Sequence, residues 1–255
     1  MNVLVCVKRV PAPGARINLA NDEQAIDTTH LGFTVSPHEE CAVEAAVQVV
    51  EAHGGSVTVL TVGPEAAEEQ LRVAVSVGAA AAVLVPIDGP DWDPQRTARA
   101  IAEAVRALEA DGGPFDLVLF GNESADAGGS QVGVRVAHAL DRPMVNAAKG
   151  IDVSDGVVHV RRESPAGLET YELPLPACVG VKEGINLPRY PTMKGRLASK
   201  KVVVGRHESA SGEGGQHLVR LQRPAERITA TTILGHGPDA APAVVDLLDE
   251  LGVLK

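Results

Sequence analysis

Residues 115–133 read FDLVLFGNESADAGGSQVG, a short apolar run followed by a glycine-rich turn and the start of a helical pattern near Ser130. Residues 116–120 have the length and composition of a buried strand. The glycines let the backbone approach a ligand closely, and a helix that starts here directs free N–H groups and its positive dipole end toward a phosphate. The stretch therefore predicts a nucleotide site at a strand-to-helix turn, with a plain loop and a serine cap as the alternative.

Strand-like and helical segments alternate through the first 120 residues. Runs that are apolar on both faces indicate a parallel sheet covered on two sides, so we expect an α/β fold with a doubly wound, mostly parallel, Rossmann-like sheet. Ligands of such sheets bind at the carboxyl ends of the strands, where residues 36–37, 63–64 and 121–133 would cluster. The predicted strands are 3–7, 57–62, 82–85 and 116–120, and the predicted helices are 38–53, 65–77 and 94–109.

The pattern changes after residue 150. Residues 157–160 and 170–173, joined across 164–167, predict an antiparallel hairpin, and 177–181 predicts another buried strand. Residues 184–215 are rich in proline, glycine and basic side chains, so we expect an extended arm that leans on another surface, with one short strand at 202–204. Apolar spacing through 239–251 predicts a C-terminal helix.

Composition restricts the class of partner. The net charge is −10, with 33 acidic and 23 basic residues, which argues against nucleic acid and favours a protein or small molecule. The three cysteines are widely spaced in apolar runs, as expected of reduced thiols in a cytoplasmic protein. No signal peptide is expected, and the longest apolar stretch is too short for a bilayer span of about 20 residues, so we expect no membrane protein.

Several catalytic motifs are missing from the sequence. It contains no P-loop, no Rossmann dinucleotide fingerprint, no His-Glu-x-x-His pair and no nucleophile elbow. We therefore expect neither a covalent catalyst nor a metal site.

Residues 36–40 read SPHEE, in which serine, proline and glutamate suit the first turn of a helix. An N-cap explains the pattern by itself. A functional interpretation adds that His38 points from this helix end toward the ligand edge of the sheet.

Residues 183–196 have the composition of an exposed loop but carry apolar and basic side chains together. Apolar anchors within a basic rim are typical of a docking loop, and they would equally pin an arm to its own domain. The apolar residues are Ile185, Leu187, Tyr190 and Met193, and the basic ones are Arg189, Lys194 and Arg196.

Taken together, these segments resemble the β subunits of electron-transfer flavoproteins over nearly the whole chain. The run INLPRYP at residues 185–191 is the most specific match, and VKRV at 7–10 is moderately specific. The matching pieces are 3–10, 36–44, 116–133, 167–170 and 186–201.

The resemblance implies a structural AMP in this chain and an FAD bound mainly by an α subunit. It also implies a docking loop with Ile185 as its apolar anchor, together with Leu187, Tyr190 and Met193, and a control of domain motion by Glu169. The AMP site carried over by position comprises Cys6, Ser36, Pro37, His38, Glu39, Val62, Gly121, Asn122, Glu123, Ser124, Ala125, Asp126, Ala127, Gly128, Gly129, Ser130, Gln131 and Val132.

The implied activity is that of an electron carrier, not of an enzyme with its own substrate. Electrons would pass from acyl-CoA or related flavin dehydrogenases, as in fatty acid beta-oxidation, to a quinone oxidoreductase. The implied domains are a nucleotide-binding domain at 1–192 with a recognition loop at 183–200, an arm at 193–236 that contacts the α subunit, and a C-terminal helix at 237–255.

Three alternatives stay open. Some relatives hold a second FAD in place of AMP and bifurcate electrons with NADH, but their Asp-Gly-Asp-Thr pattern is not reproduced at residues 126–130, which favours AMP. A stand-alone nucleotide-binding regulator of the universal-stress type shares the βα layout. An ATP-pyrophosphatase ligase needs a Ser-Gly-Gly-x-Asp-Ser loop after the first strand, where this chain has KRVP at residues 8–11.

Overall fold

The computed structural model describes residues 1–210, 212–225 and 231–254. The chain divides into two compact units, Met1–Leu221 and Gln222–Lys255. Ser211 and residues 226–230, within the predicted arm, and Lys255, at the end of the predicted C-terminal helix, lie outside the described residues.

The first unit is built on a large sheet. Among the described residues, the strands are β1 (Asn2–Cys6), β2 (Arg9–Pro11), β3 (Asn18–Leu19), β4 (Ile26–Asp27), β5 (Phe33–Val35), β6 (Ser56–Gly63), β7 (Ala81–Pro86), β8 (Leu117–Gly121), β9 (Met144–Ser154), β10 (Val157–Ser164), β11 (Gly167–Pro174), β12 (Ala177–Val181) and β13 (Val204–Arg206). Nine of them form one sheet in the order β11-β10-β9-β12-β8-β1-β6-β7-β13. Pairing is parallel from β9 to β13 and antiparallel across β9, β10 and β11.

Helices cover both faces of this sheet. Among the described residues of the first unit, the helices are α1 (Pro37–His53), α2 (Glu68–Val77), α3 (Pro94–Gly112), α4 (Val132–Ala139) and α5 (Met193–Lys201), with a 3₁₀ turn at Glu65–Ala67. The second unit contains a 3₁₀ turn at Gly237–Ala240 and α6 (Ala241–Glu250). In β1, Val3 and Val5 pack in the core under α1 and α2, whereas Leu4 and Cys6 pack under α3 and α4. Because both faces are buried, β1 is apolar at successive positions, and the predicted doubly wound α/β fold is confirmed.

The strand order reverses direction beside β1. The chain runs from β1 to β6 and β7 on one side, and then returns through α3 to place β8 on the other side. The carboxyl ends of β1 and β8 therefore flank the topological switch point, which is the usual ligand crevice of such a sheet.

The predicted hairpin is confirmed, because β10 and β11 pair antiparallel around residues 164–167. The predicted C-terminal helix is also confirmed as α6, which lies in the second unit after a 3₁₀ turn. Val244, Val245 and Leu251 of this unit are exposed.

The described part of the predicted arm up to residue 221 belongs to the first unit. Its first residues form α5, which packs on α2 and which apolar periodicity did not indicate. Gly195 makes this packing possible, since a Cβ there would overlap the carbonyl oxygen of Ser76. Arg72 Nη1 then donates to the carbonyl oxygens of Ser199 at 2.6 Å and Val202 at 3.3 Å.

Beyond α5, the chain extends the sheet and then follows α3. The short strand expected at 202–204 lies two residues later, as β13 on β7. The Asp93 carboxylate, which caps α3, accepts the amides of Gly215 at 2.7 Å and Gln216 at 2.8 Å. The Leu221 amide donates to the Glu23 carbonyl at 2.7 Å.

None of the helices in the described part of the chain has the length and continuous apolar character needed to cross a bilayer.

Candidate functional site

The N-terminus of α1 and the end of β8 meet in the crevice beside β1. A Cβ on Gly121 would lie 2.6 Å from Glu39 Cγ and 3.2 Å from the Glu39 backbone nitrogen. Glycine is therefore required at this position for the two segments to approach. The two segments predicted to share a site are brought together by the fold.

Glu39 lies at the base of this contact with its carboxylate turned into the protein. Oε2 accepts the backbone amides of Lys8 at 3.0 Å and Ser36 at 3.4 Å, and Ser36 and Glu39 form a capping box. Burial raises the pKa of the Glu39 carboxyl to about 8, although the hydrogen bonds from Lys8 and Ser36 act in the opposite direction. Glu39 thus fixes the start of α1 against the end of β1.

His38 bridges two loops. Its Nδ1 accepts the Glu183 backbone amide at 2.8 Å, and its Nε2 lies 3.9 Å from Glu123 Oε1. The imidazole therefore lies at the predicted ligand edge, between the loop after β8 and the loop after β12.

The glycine-rich loop after β8 has an unusual backbone. Gly128 and Ser130 have φ values of +56° and +49°, and the Gly128 amide donates to the Ser124 carbonyl at 2.9 Å. Ser130 Oγ donates to Glu123 Oε2 at 2.9 Å. Since α4 begins at Val132, its first-turn N–H groups have no intrahelical acceptor and are available to an anion.

Cys6 and Val62 lie at the carboxyl ends of β1 and β6, at the same edge of the sheet. Cys6 is aligned with Phe120 of β8 in the register of the sheet. Burial raises the pKa of the Cys6 thiol well above its usual value, and the nearby Cys178 and Glu39 raise it further by smaller amounts. The thiol is therefore a neutral, apolar part of the crevice floor.

Sequence reasoning missed two residues of this crevice. Lys8 Nζ lies 2.6 Å from Asp126 Oδ2 and 3.0 Å from Asp91 Oδ2, which belongs to the loop after β7. The position of Lys8 directly after the first buried strand could have indicated its place at the ligand edge. Asp91 lies in a loop whose composition gives no such signal.

Residues 183–191 are held to α1 from within the chain. Asn186 Nδ2 donates to the Cys41 carbonyl at 3.0 Å. Arg189 makes ion pairs with Glu44, at 2.8 Å from Nε to Oε2, and with Glu51, at 2.6 Å from Nη1 to Oε1. The hydrogen bonds that Arg189 donates to Glu51, and secondly to Glu44, raise the pKa of Arg189 above its ordinary value.

The apolar side chains of this loop fall into two groups. Ile185 is half-buried and packs against the core of its own chain, which is one of the two arrangements that the composition of the loop left open. Leu187, Tyr190 and Met193 are 89%, 92% and 74% exposed. The outward surface of the loop is therefore formed by these three residues.

Glu169 lies away from the crevice, on the edge strand β11. Its Oε2 accepts Tyr171 Oη at 2.7 Å and Arg162 Nε at 2.5 Å. Hydrogen bonds from Tyr171 and then Arg162 lower the pKa of this carboxyl, which keeps it charged. The fold does not bring Glu169 together with the predicted nucleotide residues.

The three cysteines are buried free thiols. In the part of the chain that the structure describes, no group of three or more His, Cys, Asp or Glu side chains is arranged to hold a metal ion.

The chain matches a known protein family over most of its length. The model of the electron transfer flavoprotein domain matches residues 25–211. A protein named electron transfer flavoprotein subunit beta from Mycobacterium leprae (strain TN) is 37% identical over 206 residues, which cover 78% of this chain and 76% of the relative. A protein of the same name from Syntrophomonas wolfei is 32% identical over 234 residues, which cover 91% of this chain and 90% of the relative. The chain therefore belongs to the electron transfer flavoprotein family, as one of its β subunits.

Proposed function

We propose that this chain forms a heterodimer with an α subunit, holds a structural AMP, and carries electrons through an FAD that the α subunit binds for the most part. The electrons come from acyl-CoA or related flavin dehydrogenases and pass to a quinone oxidoreductase. The observation that carries the proposal is the crevice beside β1, where an open glycine-rich loop leads into α4 at the topological switch point.

The described residues fit a nucleoside monophosphate. A Cβ on Gly129 would meet no atom within 4 Å, so the space in front of the loop is available to a ligand. Backbone amides from Gly128 to Val132 would hold the phosphate, because they lie where the helix dipole favours negative charge. Cys6 and Val62 would form the apolar floor beneath the nucleoside.

FAD supplies the redox chemistry when it is bound, since the flavin accepts and releases the electrons. This chain binds the partner subunit and orients the shared site. His38 would contribute through its fixed place between the loops after β8 and β12.

The recognition loop at 183–200 would dock the dehydrogenase. Its base is held by Arg189 and Asn186, so the loop would lose little conformational entropy when Leu187, Tyr190 and Met193 contact a partner. A groove of about 910 Å³ beside Met193 is lined by Val73 of α2 and Leu197 of α5, which extends the apolar surface. Exposed apolar side chains with a basic rim fit a protein partner.

Two further roles complete the proposal. The arm at 193–236 would contact the α subunit, and so would α6, whose Val244 and Val245 are exposed. Glu169, charged and held by Arg162 and Tyr171, would control domain motion from the edge of the sheet.

The test is to co-express the chain with electron transfer flavoprotein α subunits and to count extracted FAD and AMP. We expect equimolar FAD and AMP per heterodimer. Excess FAD without AMP would favour a bifurcating subunit, and a stable homodimer without FAD would favour the universal-stress type of regulator.

A glycine substitution adds a matched control to this count. Gly129→Val should remove AMP because the side chain enters the ligand space, whereas Gly112→Val, at an equally open position on α3, should retain it. Both variants should keep the unfolding free energy of the nucleotide-free chain within about 0.5 kcal/mol of wild type. Wild-type AMP content in Gly129→Val would contradict the assignment of this loop.

A further inference from the structure

Lys8 connects loops that follow three different strands. It lies two residues after the carboxyl end of β1, and its ammonium contacts Asp126 in the loop after β8 at 2.6 Å. The same ammonium lies 3.0 Å from Asp91 in the loop after β7. Because β6 lies between β1 and β7 in the sheet, the loop after β7 must cross over one strand to reach this ion pair.

The Lys8 backbone is as firmly held as its side chain. Its amide donates to the buried Glu39 carboxyl group at 3.0 Å, and the preceding Val7 amide donates to the Leu60 carbonyl at 2.9 Å. Burial of the ammonium alone would lower the pKa of Lys8, but Asp91 and Asp126 raise it overall, so the side chain is charged. A fixed cation therefore stands at the switch point.

Asp126 connects the Lys8 side chain to the backbone of the glycine-rich loop. Its Oδ2 accepts from Lys8 Nζ, while its Oδ1 accepts the Ala127 backbone amide at 2.8 Å. The next amide, that of Gly128, donates to the Ser124 carbonyl at 2.9 Å. These bonds orient residues 126–128, directly before the backbone amides that precede α4.

We infer that Lys8 is a positioning residue for the phosphate of a nucleoside monophosphate: it acts through Asp126 and sets the conformation in which the loop amides bind that phosphate. This inference rests on the proposed function. It also assigns the loop carrying Asp91 to the nucleotide site as its third wall. Lys8 needs no phosphate contact for this role, because its ammonium is already shared between two carboxylates.

The experiment measures AMP affinity by equilibrium dialysis of the full chain, purified with its α subunit and freed of endogenous nucleotide. Lys8→Met should weaken AMP binding by about tenfold or more, because displaced backbone amides would lose several hydrogen bonds to the phosphate together. Lys8→Arg should restore affinity to within about threefold, since guanidinium also pairs with carboxylates. Lys201→Met, at the exposed end of α5, serves as the matched control and should bind AMP like wild type.

The Asp126 variant tests the route of the effect. Asp126→Asn should weaken AMP binding as much as Lys8→Met, and the double variant should be no weaker than either single one. Wild-type affinity in Lys8→Met, or additive losses in the double variant, would overturn the inference while the AMP site itself remained. A wild-type protein that binds no AMP would instead overturn the proposed function together with this inference.

Discussion

The proposed nucleotide crevice and the proposed recognition loop differ in whether backbone or side chains face outward. In the crevice, side chains turn inward, as Glu39 does to Lys8 and Ser36, and the backbone at Gly128 and Gly129 faces open space. In the loop, the backbone and Arg189 are tied to α1, and the side chains of Leu187 and Tyr190 face outward.

A hydrogen bond between His38 and Glu183 joins these two regions. The Glu183 amide at the start of the loop donates to His38 Nδ1 at 2.8 Å, and His38 belongs to the first turn of α1 in the crevice. Helix α1 therefore serves both regions: its N-terminus shapes the crevice and its side holds the loop.

The largest effect is expected at the tightest contact of the crevice. Gly121→Val places a side chain where a Cβ alone would lie 2.6 Å from Glu39 Cγ, so we expect a loss of about 3 kcal/mol in the free energy of unfolding. Denaturant titration measures this loss. Gly112→Val, at a glycine where a Cβ would meet no atom within 4 Å, should change the free energy of unfolding by less than about 0.5 kcal/mol. An equally small change in Gly121→Val would show that α1 and β8 can separate freely.

An intermediate effect is expected at the base of the recognition loop. Arg189→Ala leaves the buried Glu44 carboxylate without its cationic partner, so we expect the free energy of unfolding to fall by about 2 kcal/mol. Thermal or denaturant unfolding measures this change. Arg161→Ala, which breaks an exposed pair with Asp152, is the matched control and should cost under about 1 kcal/mol. Equal losses in the two variants would mean that the loop is not anchored through Arg189.

The smallest effect on stability is expected at the outward surface of the loop. Leu187→Ser should leave the unfolding free energy within about 0.5 kcal/mol and the flavin spectrum unchanged, because this side chain is exposed. The rate of electron transfer from a dehydrogenase, measured as the rate of flavin reduction, should fall by about tenfold because an apolar anchor is lost. Val203→Ser, at an exposed position outside the loop, should transfer at the wild-type rate. Unchanged transfer in Leu187→Ser would remove this residue from the docking surface.

Local residue types predicted much of the crevice. The glycines of residues 121–133, the Ser36 cap and the apolar runs of the strands each carry a signal within a few residues of the chain. These signals also place the two loops at one sheet edge, because parallel strands end together.

Contacts between distant residues were not predictable in this way. The ion pair of Lys8 with Asp126 joins positions that are 118 residues apart, and nothing near either residue specifies the other. Helix α5 was missed because its stability comes from packing on α2 and from Arg72, while its own sequence is polar and contains Gly195. For a similar reason, composition alone left open whether Ile185 packs against its own chain or against a partner, and the structure shows its side chain half-buried against the core of its own chain.

The short strand β13 has a consequence for how copies of this protein behave at high concentration. It hydrogen-bonds along the otherwise open side of β7 through three residues, Val204 to Arg206. A bare β7, apolar along its length, would offer a template for pairing with the strands of other molecules. By ending the sheet in a brief segment that carries a charged arginine, the fold limits such aggregation without needing a covering helix.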